Sequence, residues 1–365
     1  MDTSVDILHD SSNRRSSSFG NTATLSLETT LLASTKAGHA IQEKWHTTCT
    51  PSVHELLQKN THVPLNLSKT PVLDLTIHNL LWSKGPLRNE YSTRGTETPS
   101  HDMDWIRNLT EENNIVFIRN GSTHAVHDLY IFSTLLHLLP TPIILITSDG
   151  DKSMPCAELP YTYQLLQSPM IVAWYTQNYN KSIIHPKLKH YPIGFDLHTS
   201  QWFINDSVHD KIKYMVYRRR LSPTHTRIAH KILNDTYHSK SHPERAQLFH
   251  LVKKNPHIDF LKKVPFRILT DMYNQYNFVL SPRGNGLDCH RTWELLLAGV
   301  IVITKTSPLD DMYRQHNLPV VILKEWDELN HNLPHKLKEW YKEHLPKTSM
   351  ENIFERLTVS YWLMS

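Results

Sequence analysis

Short unbroken apolar runs alternate along this chain with longer stretches in which apolar residues recur every third or fourth position. Runs bounded by turn formers predict buried strands, and the wider spacing predicts helices packed on them. In the first half the runs are VLDLTIH (72–78), NIVFIRN (114–120), PIILITSDGD (142–151), MIVAWYTQN (170–178) and KLKHYPIGFD (187–196). Residues 122–139 place Val126, Leu129, Tyr130, Ser133, Leu136 and His137 on one helical face, which Pro140 and Pro142 end. In the second half KYMVYRR (213–219) predicts a strand, and 223–237 a helix capped by Ser222 with Pro223 in its first turn. Residues 243–254 and 268–275 predict two more helices, FVLS (278–281) a strand, and 289–298 a helix closed by Gly299. VIVITK (300–305) and PVVILK (319–324) predict buried strands, and the end from Trp326 is helical.

This alternation predicts an α/β fold of parallel sheets covered by helices. The 365 residues exceed the roughly 250–300 that one core supports. The expected division is a flexible Ser/Thr-rich tail over 1–65, with one short helix near 52–58, and Rossmann-like units over 66–204 and 205–345. A helical segment follows over 346–365. Ligands of such sheets sit outside the strands' carboxyl ends, so two facing units predict a cleft between them.

Composition narrows the function classes. A net charge of +4, with Arg218-Arg219-Arg220 the only dense basic run, does not suggest a nucleic-acid partner. The 25 histidines form no HExxH or HxH, and there is no CxxC. Three distant cysteines (Cys49, Cys156, Cys289) imply no disulfide framework and fit a reducing compartment. Six sequons, at Asn66, Asn108, Asn120, Asn180, Asn205 and Asn234, exceed the about three expected by chance and point weakly the other way. The start has no apolar core of a signal peptide, and Glu28 and Lys36 break the next apolar stretch. A soluble or cytoplasmic protein without a membrane anchor is expected.

The densest chemistry lies in FVLSPRGNGLDCHRTWELLL (278–297). A strand ends at Ser281-Pro282, Gly284 and Gly286 allow close backbone approach, and a helix begins near Asp288 or Cys289. Unpaired N–H groups at that helix start suit a phosphate. Arg283 and Arg291 would add charge-assisted hydrogen bonds to a diphosphate, and Glu294, on the same face as Arg291, would accept from ribose hydroxyls. The plainer alternative is Asp288 as a helix cap and Arg291–Glu294 as a surface ion pair. The P-loop pattern GxxxxGK[ST] is absent, which counts against a kinase or ATPase.

The stretch YNFVLSPRGNGLDCHRTWELLLAGVIVITKTSPLDDMY resembles the carboxyl-terminal donor segment of exostosin-like glycosyltransferases, in the branch seen among viral, algal and other microbial proteins. Ser-Pro-Arg-Gly, then Arg291, Glu294, Leu296, Gly299 and the strand beyond carry the likeness. ITSDGDKSMP, WYTQNYN, HPKLKHYPIGFD and KYMVYRR extend it over about 115–330. The resemblance implies a GT-B fold, two Rossmann-like domains facing across a cleft, with the second holding the sugar nucleotide. It also implies inverting transfer from a nucleotide diphosphate sugar, expected to be a UDP-sugar, to a glycan or glycoprotein acceptor, with Glu294 on the ribose. Golgi members of the family carry an amino-terminal anchor that is not found in this chain, so a Golgi lumen is not the expected location.

The donor set expected is Arg218, Ser281, Arg283, Gly284, Asn285, Gly286, His290, Arg291, Glu294, Lys305, Thr306 and Ser307. Lys305 to Ser307 end a strand where ammonium and hydroxyl groups would meet a diphosphate; a turn capped by Ser307-Pro308 is the alternative. Arg218 would end the strand KYMVYRR at the same edge, where positive charge stabilises a leaving diphosphate. In the first unit Ser148-Asp149-Gly150-Asp151 ends a strand. Asp149, then Asp151, are the candidate general bases. The same pair reads as a metal-binding DxD of a GT-A enzyme, or as a plain Asp-Gly turn. The doubled α/β pattern favours the first reading, with no metal assigned and no cofactor beyond the sugar nucleotide. Asp196 reads as a turn residue near the domain junction. A binding module without catalysis is the remaining alternative.

Overall fold

The computed structural model describes residues 79–83, 114–119, 125–156, 158–197, 208–238, 240 and 242–364. The readings for the tail 1–65, the helix near 52–58, the strand at 72–78, Cys49 and the sequons at Asn66, Asn108, Asn120 and Asn205 lie outside these residues.

Two parallel sheets organise the chain. The first runs β1 (Ile115–Arg119), β2 (Ile143–Ser148), β3 (Ile171–Thr176) and β4 (Leu188–His190), in that order. Every neighbouring pair in it is parallel. Helices α1 (Ala125–Thr134) and α2 (Pro160–Gln167) make its crossovers. The second sheet contains β5 (Ile228–Asn234), β6 (Ile258–Phe260), β7 (Tyr276–Leu280), β8 (Ile301–Lys305) and β9 (Val320–Leu323). Its order is β6-β5-β7-β8-β9, again all parallel. Strands β2 and β7 are buried along their whole length, as continuous apolar runs in a parallel sheet require. The class is therefore α/β and Rossmann-like.

The order of the second sheet reverses between β5 and β7. The chain steps from β5 outward to β6, then crosses back to lay β7 on the other side of β5. A crevice opens outside the carboxyl ends of strands that diverge in this way. Three helices stand around it: α3 (Val208–Leu221), α4 (Pro243–Val252) and α5 (Phe266–Tyr273). Helix α6 (His290–Leu297) follows β7, and Gly299, at φ +75°, ends it as expected.

One apolar cluster joins the two sheets: it includes Ile146 and Tyr175 of the first, Val279 and Val302 of the second, and Trp293 and Trp362. Helices α7 (Asp310–Gln315), α8 (Leu333–His344), α9 (Met350–Arg356) and α10 (Val359–Met364) complete the chain. The last of them returns to the first sheet, where the Tyr175 hydroxyl donates to the Leu363 carbonyl at 2.8 Å. Among the described residues no helix is long and apolar enough to cross a membrane.

Two expected elements exchange type. Residues 213–219 belong to helix α3, not a strand. Its buried positions Lys211, Ile212, Met215 and Arg219 fall on one helical face, while Lys213, Tyr217 and Arg220 are exposed. The aromatic and β-branched run Tyr214-Met215-Val216-Tyr217 suggested a strand, and one-sided burial overrides that preference. Residues 223–237 contain strand β5, not a helix. Pro223 precedes a short 3-10 turn at Thr224–Thr226, and Ile232–Asn234 are buried between β6 and β7. Pairing on both sides decides the conformation there. Strand β4 is also shorter than expected, because Pro192 to Gly194 leave the ladder to form part of the site.

Candidate nucleotide-binding site

A cavity of about 320 Å³ lies where the loops after β2 and β4 meet the loop between β7 and α6. Asp151, Ile193 and Asp196 line it from the first sheet's side, and Gly284 to Gly286 from the loop after β7. His290, Arg291 and Glu294 of α6 line it as well, with Lys211, Arg245 and Tyr273 from the surrounding helices.

Asp288 ties the loop to the first sheet. Its carboxylate accepts from the Ile193 N–H (2.8 Å), the Cys289 N–H (2.8 Å) and the Trp293 indole N–H (3.0 Å). Burial pushes its pKa up, against the pull of these hydrogen bonds. The helix cap itself is Cys289, so Asp288 is an inter-sheet tether rather than the cap the sequence suggested. Asn178, just after β3, completes the tether. Its Oδ1 accepts from the Asp288 N–H at 2.8 Å, and its Nδ2 donates to the Gly150 carbonyl at 2.8 Å. Gly286 packs directly on Asn178. His290 Nδ1 lies 2.8 Å from the Gly194 carbonyl.

The cationic part of the site is Arg291 with Arg245. Arg291 Nε stands 3.3 Å from Asp235 Oδ1, and its side chain is 17% exposed. Its Nε and Nη1 are buried without a hydrogen-bond partner among the described residues. Burial alone would pull its pKa down, but Asp235 and Tyr273 outweigh burial and hold it above the ordinary arginine value. Arg245, in the first turn of α4, donates from Nε to the Arg283 carbonyl at 3.0 Å. Its pKa is lowered by burial and then by the charge of Arg291. Asp235, the first residue after β5, also accepts from the Tyr273 hydroxyl at 2.8 Å. Two guanidinium groups thus line one cavity, and such groups hold anions through charge-assisted hydrogen bonds.

Glu294 sits one turn into α6. Its Oε1 accepts from Lys211 Nζ at 2.6 Å, and the lysine is 1% exposed. Lys211 also donates to the Asp196 carbonyl at 2.7 Å. The pair is buried, with Lys211 holding the Glu294 carboxylate against the Asp196 carbonyl.

Of the fourteen residues expected from the sequence, seven line the cavity: Asp151, Gly284, Asn285, Gly286, His290, Arg291 and Glu294. Asn285 Nδ2 donates to Asp151 Oδ2 at 3.2 Å across the two sheets' loops. The other seven have different surroundings. Arg218 lies on α3 rather than at a strand end, and pairs with Asp271 at 2.6 Å. Ser281 is buried against the Thr292 hydroxyl at 3.0 Å. Arg283 turns its Nη2 to the Asn285 carbonyl at 3.0 Å. Lys305 faces Glu325 at 3.5 Å. Thr306 donates to Asp310 (2.6 Å), and the Ser307 N–H donates to the same carboxylate (2.9 Å), so 306–310 form the capped turn. Asp149 has φ +66° and its N–H donates to Gln177 Oε1 at 3.0 Å, which fixes the turn after β2. Among the described residues no three His, Cys, Asp or Glu side chains cluster as a metal would require.

The residues missed were Lys211, Arg245, Tyr273 and Asp235, and Asp196 lines the cavity where only a turn was expected. A single misreading hid two of them. With β5 read as a strand, Asp235 stands at its carboxyl end and Arg245 in the first turn of the next helix, where phosphate ligands are sought. No protein-family model and no curated protein matches the chain.

Proposed function

We propose that the protein is an inverting glycosyltransferase of the exostosin-like, GT-B kind, and that the cavity between its sheets holds a nucleotide diphosphate sugar. The observation that carries this reading is two guanidinium groups lining one cavity, Arg291, paired with Asp235, and Arg245 beside it, at the point where the second sheet's strand order reverses. A diphosphate in this cavity would meet both guanidinium groups with charge-assisted hydrogen bonds. Glu294, one helical turn further along the same cavity, is placed for ribose hydroxyls, and Lys211 holds its carboxylate in position.

In this reaction the acceptor hydroxyl oxygen attacks the anomeric carbon on the face opposite the diphosphate. The new C–O bond forms as the bond to the β-phosphate oxygen breaks, and the leaving diphosphate keeps the electron pair. Arg291 and Arg245 stabilise that developing charge. The acceptor's proton passes to a carboxylate. Asp151 is the base we assign, because it lines the cavity from the first sheet's side, whereas Asp149 is not among the lining residues.

The test is incubation with nucleoside diphosphate sugars and glycan acceptors, with and without EDTA, following nucleoside diphosphate release and the product's anomeric configuration. Acceptor-dependent release with inverted configuration is expected in the presence of EDTA. Retention of configuration overturns the inverting mechanism, and activity that EDTA abolishes and manganese restores overturns it in favour of the metal-dependent alternative. Tight nucleotide binding without turnover overturns it in favour of a binding module.

A further inference from the structure

The opposite end of helix α6 meets a second cavity that the proposed reaction does not use. It is about 470 Å³ in volume and lies between the end of α3 and residues 345–351. Arg219 and Arg227 line it and are 5% and 6% exposed. Arg219 donates to the carbonyls of Leu296 (3.3 Å), Leu297 (2.9 Å) and Thr348. Arg227 donates to the carbonyls of Ala298 (2.9 Å) and Ser222 (2.9 and 2.8 Å) and to Asn274 Oδ1 (3.1 Å). Both guanidinium groups therefore cap the carboxyl end of α6, and among the described residues neither shares a hydrogen bond with a carboxylate.

The charges there do not balance. A helix terminus offers about half a negative charge, against two buried guanidinium groups. Arg220 and His225, both exposed, line the same cavity, and among the described residues Glu351 is its one carboxylate. Burial lowers Arg219 to about 9, and the neighbouring Arg227 adds to that shift. Burial brings Arg227 to about 10. Neutral acceptors satisfy the donors of both buried arginines without cancelling their charge, and with the exposed Arg220 this leaves positive charge beside the cavity.

We propose that this cavity is a second ligand site, one that binds a tetrahedral oxyanion: inorganic phosphate, or the phosphate or sulfate group of a sugar ester. The exposed Arg220 guanidinium offers planar donors that match oxyanion edges, and the two buried guanidinium groups, whose donors hold carbonyls, add their charge through a low local dielectric. The cavity's volume accommodates an ester as well as the free ion. The eight-residue helix α6, about 12 Å long at 1.5 Å per residue, separates it from the donor cavity, so the two sites are addressed by different variants.

The experiment follows thermal melting of the full chain in inorganic phosphate, against sodium chloride of matched ionic strength, for wild type, Arg220→Glu and Glu351→Gln. Glucose 6-phosphate is a second probe. Both substituted side chains are exposed and lie away from the donor cavity. We expect phosphate to raise the wild-type melting temperature, with apparent affinity at least fivefold weaker in Arg220→Glu and at least twofold tighter in Glu351→Gln. Tighter binding of glucose 6-phosphate than of phosphate identifies an ester as the ligand, and equal or weaker binding identifies the free ion. No phosphate response in wild type, equal responses in all three proteins, or a change of the same sign in both variants overturns the proposal.

Discussion

Gly286 and Asn178 stand so close that a β-carbon on the glycine would lie 2.7 Å from the asparagine's Nδ2. The asparagine cannot move aside freely, because it bonds both Gly150 and Asp288. Gly286→Ala therefore pushes apart the loops of the two sheets. Overpacking of this kind costs about 1–3 kcal/mol, and a chain of this size should lose several degrees of melting temperature. Asn178→Ala in the same background should relieve the clash but not restore the tether, so the double variant should melt no higher than Asn178→Ala alone.

Lys211 and Glu294 form a buried pair at 2.6 Å. Removing Lys211 takes the ion pair from the buried Glu294 carboxylate, at a cost of about 3–5 kcal/mol. Lys211→Ala should destabilise strongly. Lys211→Met combined with Glu294→Leu should recover most of that loss, as read from urea midpoints. Additive losses in the double variant would show that the pair is not coupled.

Arg245 is expected to contact the ligand directly. A hydrogen bond to a charged group is worth about 1.5–3 kcal/mol, so Arg245→Ala should weaken nucleoside diphosphate binding by about tenfold to a hundredfold. Arg283→Ala, which leaves the carbonyl held by Arg245 in place, should change affinity by less than about threefold. Calorimetric titration distinguishes the two.

Acid should weaken the fold through buried histidines. Burial, with Lys181 as the next cause, lowers His190 to about 4, and burial, followed by Arg356, lowers His316 to about 4. In the unfolded chain both titrate near about 6.5, so between these values the unfolded state binds more protons and stability rises with pH. Their contribution is complete above about 6.5 and is lost as pH falls through about 4. Asp288 has the opposite sign: its raised carboxyl takes up a proton in the native state first, which favours folding as pH falls. The clean readout is therefore comparative. Urea midpoints between pH 7.5 and 4.5 should fall less steeply in His190→Gln than in wild type.

The loop 278–297 was legible because its signals are local. Proline and glycine end a strand, and the apolar spacing of Trp293, Leu295, Leu296 and Leu297 buries one side of the helix. The strands β2, β7, β8 and β9 were equally plain, since continuous apolar runs leave little choice in a parallel sheet. Residues 213–237 misled because their local preferences are weak and neighbours decide. Helix α3 is fixed by which side α5 and α6 cover, and β5 by pairing with β6 and β7. The same nonlocality hid Arg245 and Asp235 and made Lys305 and Arg218 look like ligands: strand ends were visible, but not which of them meet.

The most direct measurement is a thermal-shift screen of nucleoside diphosphates and their sugar conjugates against wild type, Arg245→Ala and Glu294→Gln. One diphosphate nucleotide should stabilise the wild type, and both variants should lose most of the effect, with the corresponding monophosphate much weaker. A wild type that no nucleotide stabilises, or a shift that survives in both variants, would contradict the placement of a sugar nucleotide in this cavity.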